Sequence, residues 1–287
     1  MKGNKTWLLY ALITMVTWGI WGAFSEIPDY PSTMTYVVWA ISMIPCALVA
    51  LKNIHWKLDV RPKSVALSMG VGLLGAGGQL VLFEALKHGP AYLIFPIISI
   101  APIVTVILSA VFLKERVRKV GIIGIILAFV AIICFSLSGG DDSEVDGYLW
   151  MILAAVVFVC WGTQAFVMKL ANNHTPDAES VFVYMAISSL LIIPIALWMT
   201  DFSLPLNHGF NGPYLTFIIQ ILNAIGALTL VYANRYGKAM VVAPLADALA
   251  PMMTAVLSLI IYAHVPSIPQ VIGIVSAITC VFILSRE

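Results

Sequence analysis

The chain has 287 residues, of which 61% are apolar and only 10% are charged, and its formal net charge is +1. Soluble domains carry about 25% charged residues, so this composition, with a mean hydropathy of +0.99, excludes an ordinary soluble protein. The near-neutral charge and the lack of a basic, aromatic-rich segment also argue against a nucleic-acid partner.

Ten apolar stretches follow one another, each close to the roughly 20 residues that a helix needs to cross the hydrocarbon core. The sequence therefore predicts an all-α integral membrane protein. In chain order the predicted transmembrane helices are approximately Trp7–Phe24, Met34–Leu51, Ser64–Leu86, Ala91–Leu113, Val120–Leu137, Gly147–Leu170, Ser180–Met199, Pro213–Ala233, Ala239–Tyr262 and Ile268–Leu284.

The basic residues predict the orientation of these helices. If the amino terminus is cytoplasmic, 14 of the 15 Lys and Arg residues fall on cytoplasmic loops, and Lys87 alone lies outside. Short loops rich in Lys and Arg are retained on the cytoplasmic side of a membrane. We therefore expect a multi-pass protein of the cytoplasmic membrane with both termini inside.

The two halves of the chain resemble each other. A shift of 148 positions places Gly226 on Gly78, and the pair that begins with Trp18 returns as the pair that begins with Trp161. Five helices per half is an odd number, so the second half would cross the membrane in the opposite direction. We predict two inverted five-helix repeats. The predicted units are a first repeat at 1–138, an acidic external linker at 139–146 and a second repeat at 147–287.

Prolines interrupt two predicted helices that correspond to each other in the repeats. The fourth helix carries Pro96 and Pro102, and the ninth carries Pro244 and Pro251. Proline removes a backbone donor and leaves carbonyl groups of the preceding turn free. These breaks can meet a ligand or water, and the alternative is that they only kink the helices.

Two carboxylates lie within the apolar stretches. Asp247 is about nine residues into the ninth helix, which is on the order of 13 Å deep at 1.5 Å per residue. A carboxylate at that depth must be paired, protonated or hydrated. We predict Asp247 as the proton-coupling group, with Glu84 as a second candidate. A neutral structural Asp247 and an ion-paired, interfacial Glu84 are the alternatives.

Aromatic and amide side chains on several predicted helices could line a central cavity. Aromatic rings stack on sugars, nucleobases or aromatic amino acids, and amides supply hydrogen bonds. The alternative is that these groups pack the helices together. The predicted substrate-binding residues are Trp18, Trp21, Gln79, Trp161, Gln164, Asn223, Tyr232 and Asn234.

The order of these features resembles the drug/metabolite transporter superfamily, and in particular its EamA-type members. The residues that carry the resemblance are Trp18-Gly19, Trp161-Gly162, the Pro-containing fourth helix and the closing segment Leu113-Lys114-Glu115-Arg116. One departure is Ala263-His264-Val265, which stands where the family repeats the Glu-containing turn. The resemblance implies secondary transport of small metabolites, by uptake or export.

We therefore expect a secondary active transporter that moves a small polar metabolite, such as a sugar, an amino acid or a nucleoside-like compound, by alternating access with proton coupling. A membrane enzyme acting on a lipid-linked substrate, and a channel or scaffold, stay open as alternatives. The chain has no G-x-x-x-x-G-K-[ST] sequence for ATP and no close Cys spacing for a metal. We expect no cofactor, and a monomer or weak homodimer in the lipid bilayer.

Overall fold

The protein is described by a computed structural model that covers residues 6–112, 122–124, 126–127, 130–131, 133–134, 147–236, 242, 246, 249–261, 263 and 265–284. Every regular element among these residues is helical. In chain order the helices are α1 (Thr6–Phe24), α2 (Ser32–Asn53), α3 (Pro62–Ala85), α4 (Ala91–Ile98), α5 (Pro102–Phe112), α6 (Leu149–His174), α7 (Ala178–Trp198), α8 (Leu215–Tyr236), α9 (Leu249–Ile261) and α10 (Ile268–Leu284).

Six helices are long and apolar enough to cross a membrane: α1, α2, α3, α6, α7, and α8 together with the π-helical turn Phe210–Tyr214 that precedes it. Shorter apolar helical segments cover Ala91–Thr105, Leu249–Ile261 and Ile268–Thr279. The predicted all-helical class is therefore confirmed for the described residues. The fifth predicted span lies largely outside them, although the residues described between 122 and 134 are helical.

The fourth predicted span consists of two helices with a break between them. Pro96 lies inside α4, and Pro102 is the first residue of α5. The Ser99 hydroxyl donates to the Pro96 carbonyl over 2.6 Å, which gives that carbonyl a partner where the helix ends. Pro251 is the third residue of α9 as the structure describes it. Pro244 lies outside the described residues.

The most extensive helix contacts join the two halves of the chain. Helix α1 packs along α8 and α9, α3 packs along α6 and α7, and α2 packs against α7 and α8. Glycines permit this close approach: an added Cβ at Gly72 would lie 2.5 Å from the Ser188 Cβ atom on α7. The first-half helices are thus embedded among second-half helices.

The bundle has two ends, which we call upper and lower. At the upper end α1, α3 and α7 finish, and there the Thr200 hydroxyl donates to Thr33 over 2.8 Å. At the lower end α2, α6 and α8 finish, and there Arg61 donates to the His174 carbonyl over 2.6 Å. The basic residues of the loops predict that the upper end is external.

Candidate functional site

Trp18 ties α1 to α8. Its indole N–H donates to the backbone carbonyl of Asn223 over 3.0 Å. Its ring covers Gly226 so closely that a Cβ at this glycine would overlap it. The half-buried Trp18 ring is therefore held between two helices by one hydrogen bond and one glycine contact.

Trp161 makes the same kind of contact between α6 and α3. Its indole N–H donates to the Gly75 carbonyl over 3.4 Å, and a Cβ added to Gly78 would lie 2.6 Å from its Nε1 atom. Trp18 and Trp161 begin the Trp-Gly pair that both halves carry, and Gly78 corresponds to Gly226 in the shift of 148 positions. The contact thus occurs twice, with the roles of the two halves exchanged.

A second pair of contacts shows the same exchange. The Thr105 hydroxyl on α5 donates to the Gly162 carbonyl of α6 over 2.8 Å. The Thr254 hydroxyl on α9 donates to the Gly19 carbonyl of α1 over 3.1 Å. These threonines, like the two glycines, stand at corresponding positions of the two halves. The exchanged contacts therefore involve α1, α3, α5, α6, α8 and α9.

A buried polar layer lies in the upper half of the bundle, around α8. The Trp21 indole donates to Gln220 Oε1 over 2.6 Å, and the Trp39 indole donates to Asn223 Oδ1 over 2.7 Å. Phe95 of α4 meets Trp21 edge to face, with ring centroids 6.1 Å apart. The structure thus brings three predicted residues together, because Trp18 also bonds Asn223.

Gln220 and Trp39 belong to this layer but were not predicted. Gln220 interrupts an apolar stretch as Gln79 does, so the same criterion identifies it, whereas nothing in the sequence distinguishes Trp39 from a membrane-interface tryptophan. Because an indole N–H can only donate, Trp21 fixes the orientation of the Gln220 amide. The Gln220 Nε2 atom is then buried without a hydrogen-bond partner among the described residues.

Gln79 and Gln164 lie on the facing helices α3 and α6. Gln79 is only 2% exposed, and its Nε2 atom likewise lacks a partner in the described part of the chain. The Gln164 amide lies over Gly75, where an added Cβ would be 3.0 Å from its Cδ atom. Both amides are thus inside the bundle, next to the Trp161 contact.

Tyr232 and Asn234 lie far from this layer, at the lower end. Nine residues of α8 separate Tyr232 from Asn223, which is about 13 Å along a helix. The Tyr232 hydroxyl donates to Glu179 over 3.0 Å and accepts from Asn53 over 3.0 Å. Asn234 donates to the carbonyl of Leu230 over 3.1 Å. The predicted substrate residues therefore fall into separate groups.

Glu84 lies at the upper end among cationic and hydroxyl groups. Its carboxylate is 3.0 Å from the Lys87 ammonium and accepts a 2.9 Å hydrogen bond from Ser32. The His88 ring lies 3.6 Å from the other carboxylate oxygen. This is the geometry of an ion-paired glutamate in the last turn of α3. Asp247, the first candidate for proton coupling, lies outside the described residues.

A pocket of about 170 Å³ opens beside Glu84 at the upper end. Its lining is linked to the buried layer through Ser25, whose hydroxyl donates to the Trp21 carbonyl over 2.6 Å. Burial raises the pKa of the Tyr30 phenol, which therefore remains a neutral donor. The lining residues are Ser25, Glu26, Pro28, Tyr30, Pro31, Ser32, Thr35, Phe83, Leu86 and Lys87.

Two arginines hold the carboxyl end of α6 at the lower end. Arg235 donates to the carbonyls of Asn172 and Thr175, each over 3.1 Å. Arg61 bonds the His174 carbonyl and pairs with Asp59 over 2.8 Å. Hydrogen bonds from Arg61 hold the pKa of the Asp59 carboxyl well below its usual range. Cations are favourable here because the last carbonyls of a helix carry partial negative charge.

Comparisons with known proteins agree with this architecture. The chain is 23% identical over 239 residues to the pseudopaline exporter CntI of Pseudomonas aeruginosa, covering 83% of this chain and 82% of that protein. It is 29% identical over 216 residues to a probable terminal-alkyne amino-acid exporter of Streptantibioticus cattleyicolor, covering 73% and 68%. A solved crystal structure shares the fold, with a TM-score of 0.67 and 18% identity over 99% of this chain and 98% of the other.

The family assignment follows from a match along both halves. The model of the EamA-like transporter family matches residues 5–137 and again residues 147–286. The resemblance predicted from the Trp-Gly pairs and the fourth helix is thereby confirmed. Because six helices in the described part of the chain are long and apolar enough to cross a membrane, the chain is a multi-pass membrane protein. It belongs to the EamA-like transporter family of the drug/metabolite transporter superfamily.

Proposed function

We propose that the chain is a secondary active exporter of small amino-acid-like metabolites, built from ten helices in two inverted repeats. The observation that carries this proposal is the exchange of contacts between the halves. Trp18 on Gly226 and Trp161 on Gly78 are equivalent contacts with the halves reversed, as are the two Thr-to-Gly bonds.

Such an exchange is what a pseudo-two-fold axis in the membrane plane produces. A protein with this symmetry has two conformations of similar energy, in which corresponding contacts at the two ends open and close in turn. Alternating access then needs no nucleotide, because the gradient of a coupling ion or of the solute drives the cycle. The upper end, where Lys87 lies, is external in this proposal, and both termini are cytoplasmic.

The substrate class is argued from the buried layer and from one relative. Trp21, Trp39, Gln220 and Asn223 combine large rings with amide groups, the combination that binds a small organic solute with both apolar and polar parts. The Gln220 Nε2 atom, which has no hydrogen-bond partner among the described residues, is suited to donate to a carboxylate oxygen. The exporter of Streptantibioticus cattleyicolor is named for an amino acid. We therefore favour amino-acid-like solutes over sugars and nucleosides.

Proton coupling is assigned to Asp247. Of the two predicted carboxylates, Glu84 is engaged by Lys87 and Ser32 and is one-third exposed, with 34% of its side chain accessible. An exposed, ion-paired carboxylate stays ionised and has little need of a proton during a transport cycle. Asp247, on the apolar ninth span, is the better proton acceptor.

The test is transport by purified protein in proteoliposomes. We expect saturable counterflow of L-leucine, which requires a carrier and separates this proposal from a channel, a scaffold or an enzyme. With an imposed pH gradient, Asp247→Asn should lose the gradient-driven component of flux and keep counterflow, whereas Glu84→Gln should keep both. Absence of saturable counterflow would remove the proposed function, and unchanged gradient sensitivity in Asp247→Asn would remove the role of Asp247.

A further inference from the structure

We infer that Gln79 is a specificity-determining residue of the carrier, which donates its amide N–H to the carboxylate of the transported solute. This inference rests on the proposed function and adds a second donor, on another helix, to the one assigned to Gln220. It starts from a buried amide that no described residue satisfies, one helical turn below a cavity at the upper end of the bundle.

The Gln79 amide is buried inside the bundle at a cost to stability. The side chain is 2% exposed, and its Nε2 atom has no hydrogen-bond partner among the described residues. Such a donor has given up its water without gaining a protein acceptor, which destabilises the fold. A ligand that supplies an acceptor oxygen removes this cost, so it gains affinity at this position.

The position of Gln79 on α3 is directly below the upper pocket. Phe83 lines that pocket, and Gln79 is four residues earlier in the same helix. Residues four apart lie on one face of a helix, about 6 Å from each other along its axis. Gln79 is therefore one turn further into the bundle than the pocket lining, on the side of α3 that faces the pocket.

The same relation holds on α1 and α2. Ser25 and Thr35 line the pocket, and Trp21 and Trp39 lie one turn below them on their helices. The three helices that enclose the pocket thus continue downward as a layer of two indoles and the Gln79 amide. Because the pocket between these helices measures only about 170 Å³, the side chains one turn below it are also close to one another.

Gln220 lies at the same depth as Gln79. Gln79 is six residues from the upper end of α3 at Ala85, which is about 9 Å along the helix. Gln220 is five residues from the upper end of α8 at Leu215, which is about 8 Å. The bond between Trp21 and Gln220 joins α8 to this layer. Two buried amides without a partner on Nε2 therefore occupy one level of the bundle.

A carboxylate fits these two amides better than an ammonium group. The Trp21 indole bonds Gln220 Oε1, so the part of the Gln220 amide without a bond is its N–H group. Gln79 likewise has a buried N–H group to donate. A carboxylate only accepts hydrogen bonds and an ammonium only donates them. Two N–H donors at one level thus select the carboxylate end of an amino acid.

The experiment measures ligand binding to purified full-length protein, from the rise in melting temperature with ligand concentration. L-leucine is the probe, since its hydrocarbon side chain suits the rings of Trp21 and Phe95. Gln79→Met replaces the amide with an apolar side chain of similar size. Without ligand this variant should melt above the parent, because it no longer buries an unsatisfied donor. Its dissociation constant for L-leucine should nevertheless be about tenfold higher, the effect of losing one hydrogen bond to a charged group.

A second probe identifies the group of the solute that Gln79 contacts. Isoamylamine is L-leucine without its carboxylate, and it should bind the parent at least about tenfold more weakly than L-leucine. In Gln79→Met the ratio of the two dissociation constants should fall about tenfold, because only L-leucine loses a contact. Gln79→Asn keeps an N–H donor and should recover part of the ratio.

Asn172 provides the matched control. It is also a buried amide with an unpartnered atom, Oδ1, among the described residues, but it lies at the lower end. Asn172→Leu should leave the ratio of the two dissociation constants at its parent value. A ratio that falls equally in Asn172→Leu would show that any buried amide affects it, and would overturn the assignment to Gln79.

The inference is also overturned if Gln79→Met binds L-leucine as tightly as the parent, or if it weakens isoamylamine as much as L-leucine. A ligand-free Gln79→Met that melts below the parent would show that the amide has a structural partner, with the same consequence. Counterflow of L-leucine by the parent, with an unchanged ratio in Gln79→Met, removes Gln79 from the site and leaves the carrier in place. Binding that depends on Gln79 without counterflow supports the ligand site and removes the carrier.

Discussion

Gly78 and Gly77 are adjacent on α3, and replacing each with alanine should have opposite effects. At Gly78 a Cβ would lie 2.6 Å from Nε1 and 2.7 Å from Cδ1 of Trp161, whereas at Gly77 it would meet no atom of the described residues within 4 Å. The Trp161 ring is large and is held by its hydrogen bond to Gly75, so it must leave that bond to make room.

The difference in the free energy of unfolding between the two variants follows from three contributions: helix propensity, packing and one hydrogen bond. Both substitutions gain about 1 kcal/mol of helix propensity, which cancels in the comparison. Gly78→Ala also incurs an overpacking cost of about 1–3 kcal/mol and loses a hydrogen bond worth about 0.5–1.5 kcal/mol. Gly78→Ala should therefore be less stable than Gly77→Ala by about 2–4 kcal/mol.

The assay is thermal unfolding of the purified variants in one detergent. At about 2 °C or more per kcal/mol for a chain of this size, Gly78→Ala should melt roughly 4–10 °C below Gly77→Ala. Gly226→Ala, which meets the Trp18 ring, should repeat the effect of Gly78→Ala. Equal melting temperatures for the two α3 variants would refute the assignment of Trp161 as a ring packed on Gly78.

Three further predictions concern the other contacts. Thr105→Val and Thr254→Val should each lower the free energy of unfolding by about 0.5–1.5 kcal/mol, because each removes one hydrogen bond from a hydroxyl to a helix carbonyl. The two losses should be similar, since the two bonds join corresponding helices. Unfolding measurements in which only one of the two variants is destabilised would argue against equivalent roles. Arg235→Met should lower the free energy of unfolding by about 1–2 kcal/mol, since it removes the donor to two carbonyls at the end of α6. Arg235→Lys should recover part of this loss. A melting temperature that Arg235→Met does not change would contradict this prediction. Because Arg61 holds the pKa of Asp59 below its unfolded value of about 3.9, the stabilisation from this pair is complete above that pH and is lost as the pH falls further. The difference in the free energy of unfolding between the parent and Asp59→Asn should therefore be constant above about pH 5 and shrink in more acidic buffer. A difference that grows in acidic buffer would contradict this reasoning.

Most helices could be predicted because the thickness of a bilayer fixes the length of an apolar stretch. The first predicted span, Trp7–Phe24, differs from α1 by one residue at its start. The predicted ends of the corresponding spans were less accurate for α6 and α8, since both helices continue beyond their apolar stretches to polar residues such as His174 and Tyr236. There, hydrogen bonds from arginine stabilise the last turn of α6, which hydropathy does not measure.

The fourth predicted span shows how much proline predicts about a helix. Pro96 and Pro102 predict an interruption, but they do not fix where the helix stops. The structure places the break at Ser99 to Ala101, where the Ser99 side chain bonds the Pro96 carbonyl. A local sequence pattern thus predicts the presence of a break, and side-chain hydrogen bonding sets its place.

The candidate site could be predicted only in part, because its partners are far apart in the chain. The sequence identifies Trp18 and Trp161 as a repeated pair, but it does not show that each ring lies on a glycine of another helix. Glu84 illustrates the same limit: its Ser32 partner is 52 positions away, so only the three-dimensional fold reveals that this carboxylate is engaged. Spacing along one helix predicts local neighbours such as Lys87 and nothing beyond them.

The contacts of Trp18 with Gly226 and of Trp161 with Gly78 limit which helices can move together as a rigid body. Each one fastens a helix of the amino-terminal half to a helix of the carboxyl-terminal half, so neither half is free to rotate as a block. In the alternating-access cycle that we propose, the blocks that move relative to each other are therefore hybrids, one containing α1 with α8 and the other containing α3 with α6. Two separately expressed fragments that end before and begin after residues 139–146 should therefore recombine into one interlocked carrier.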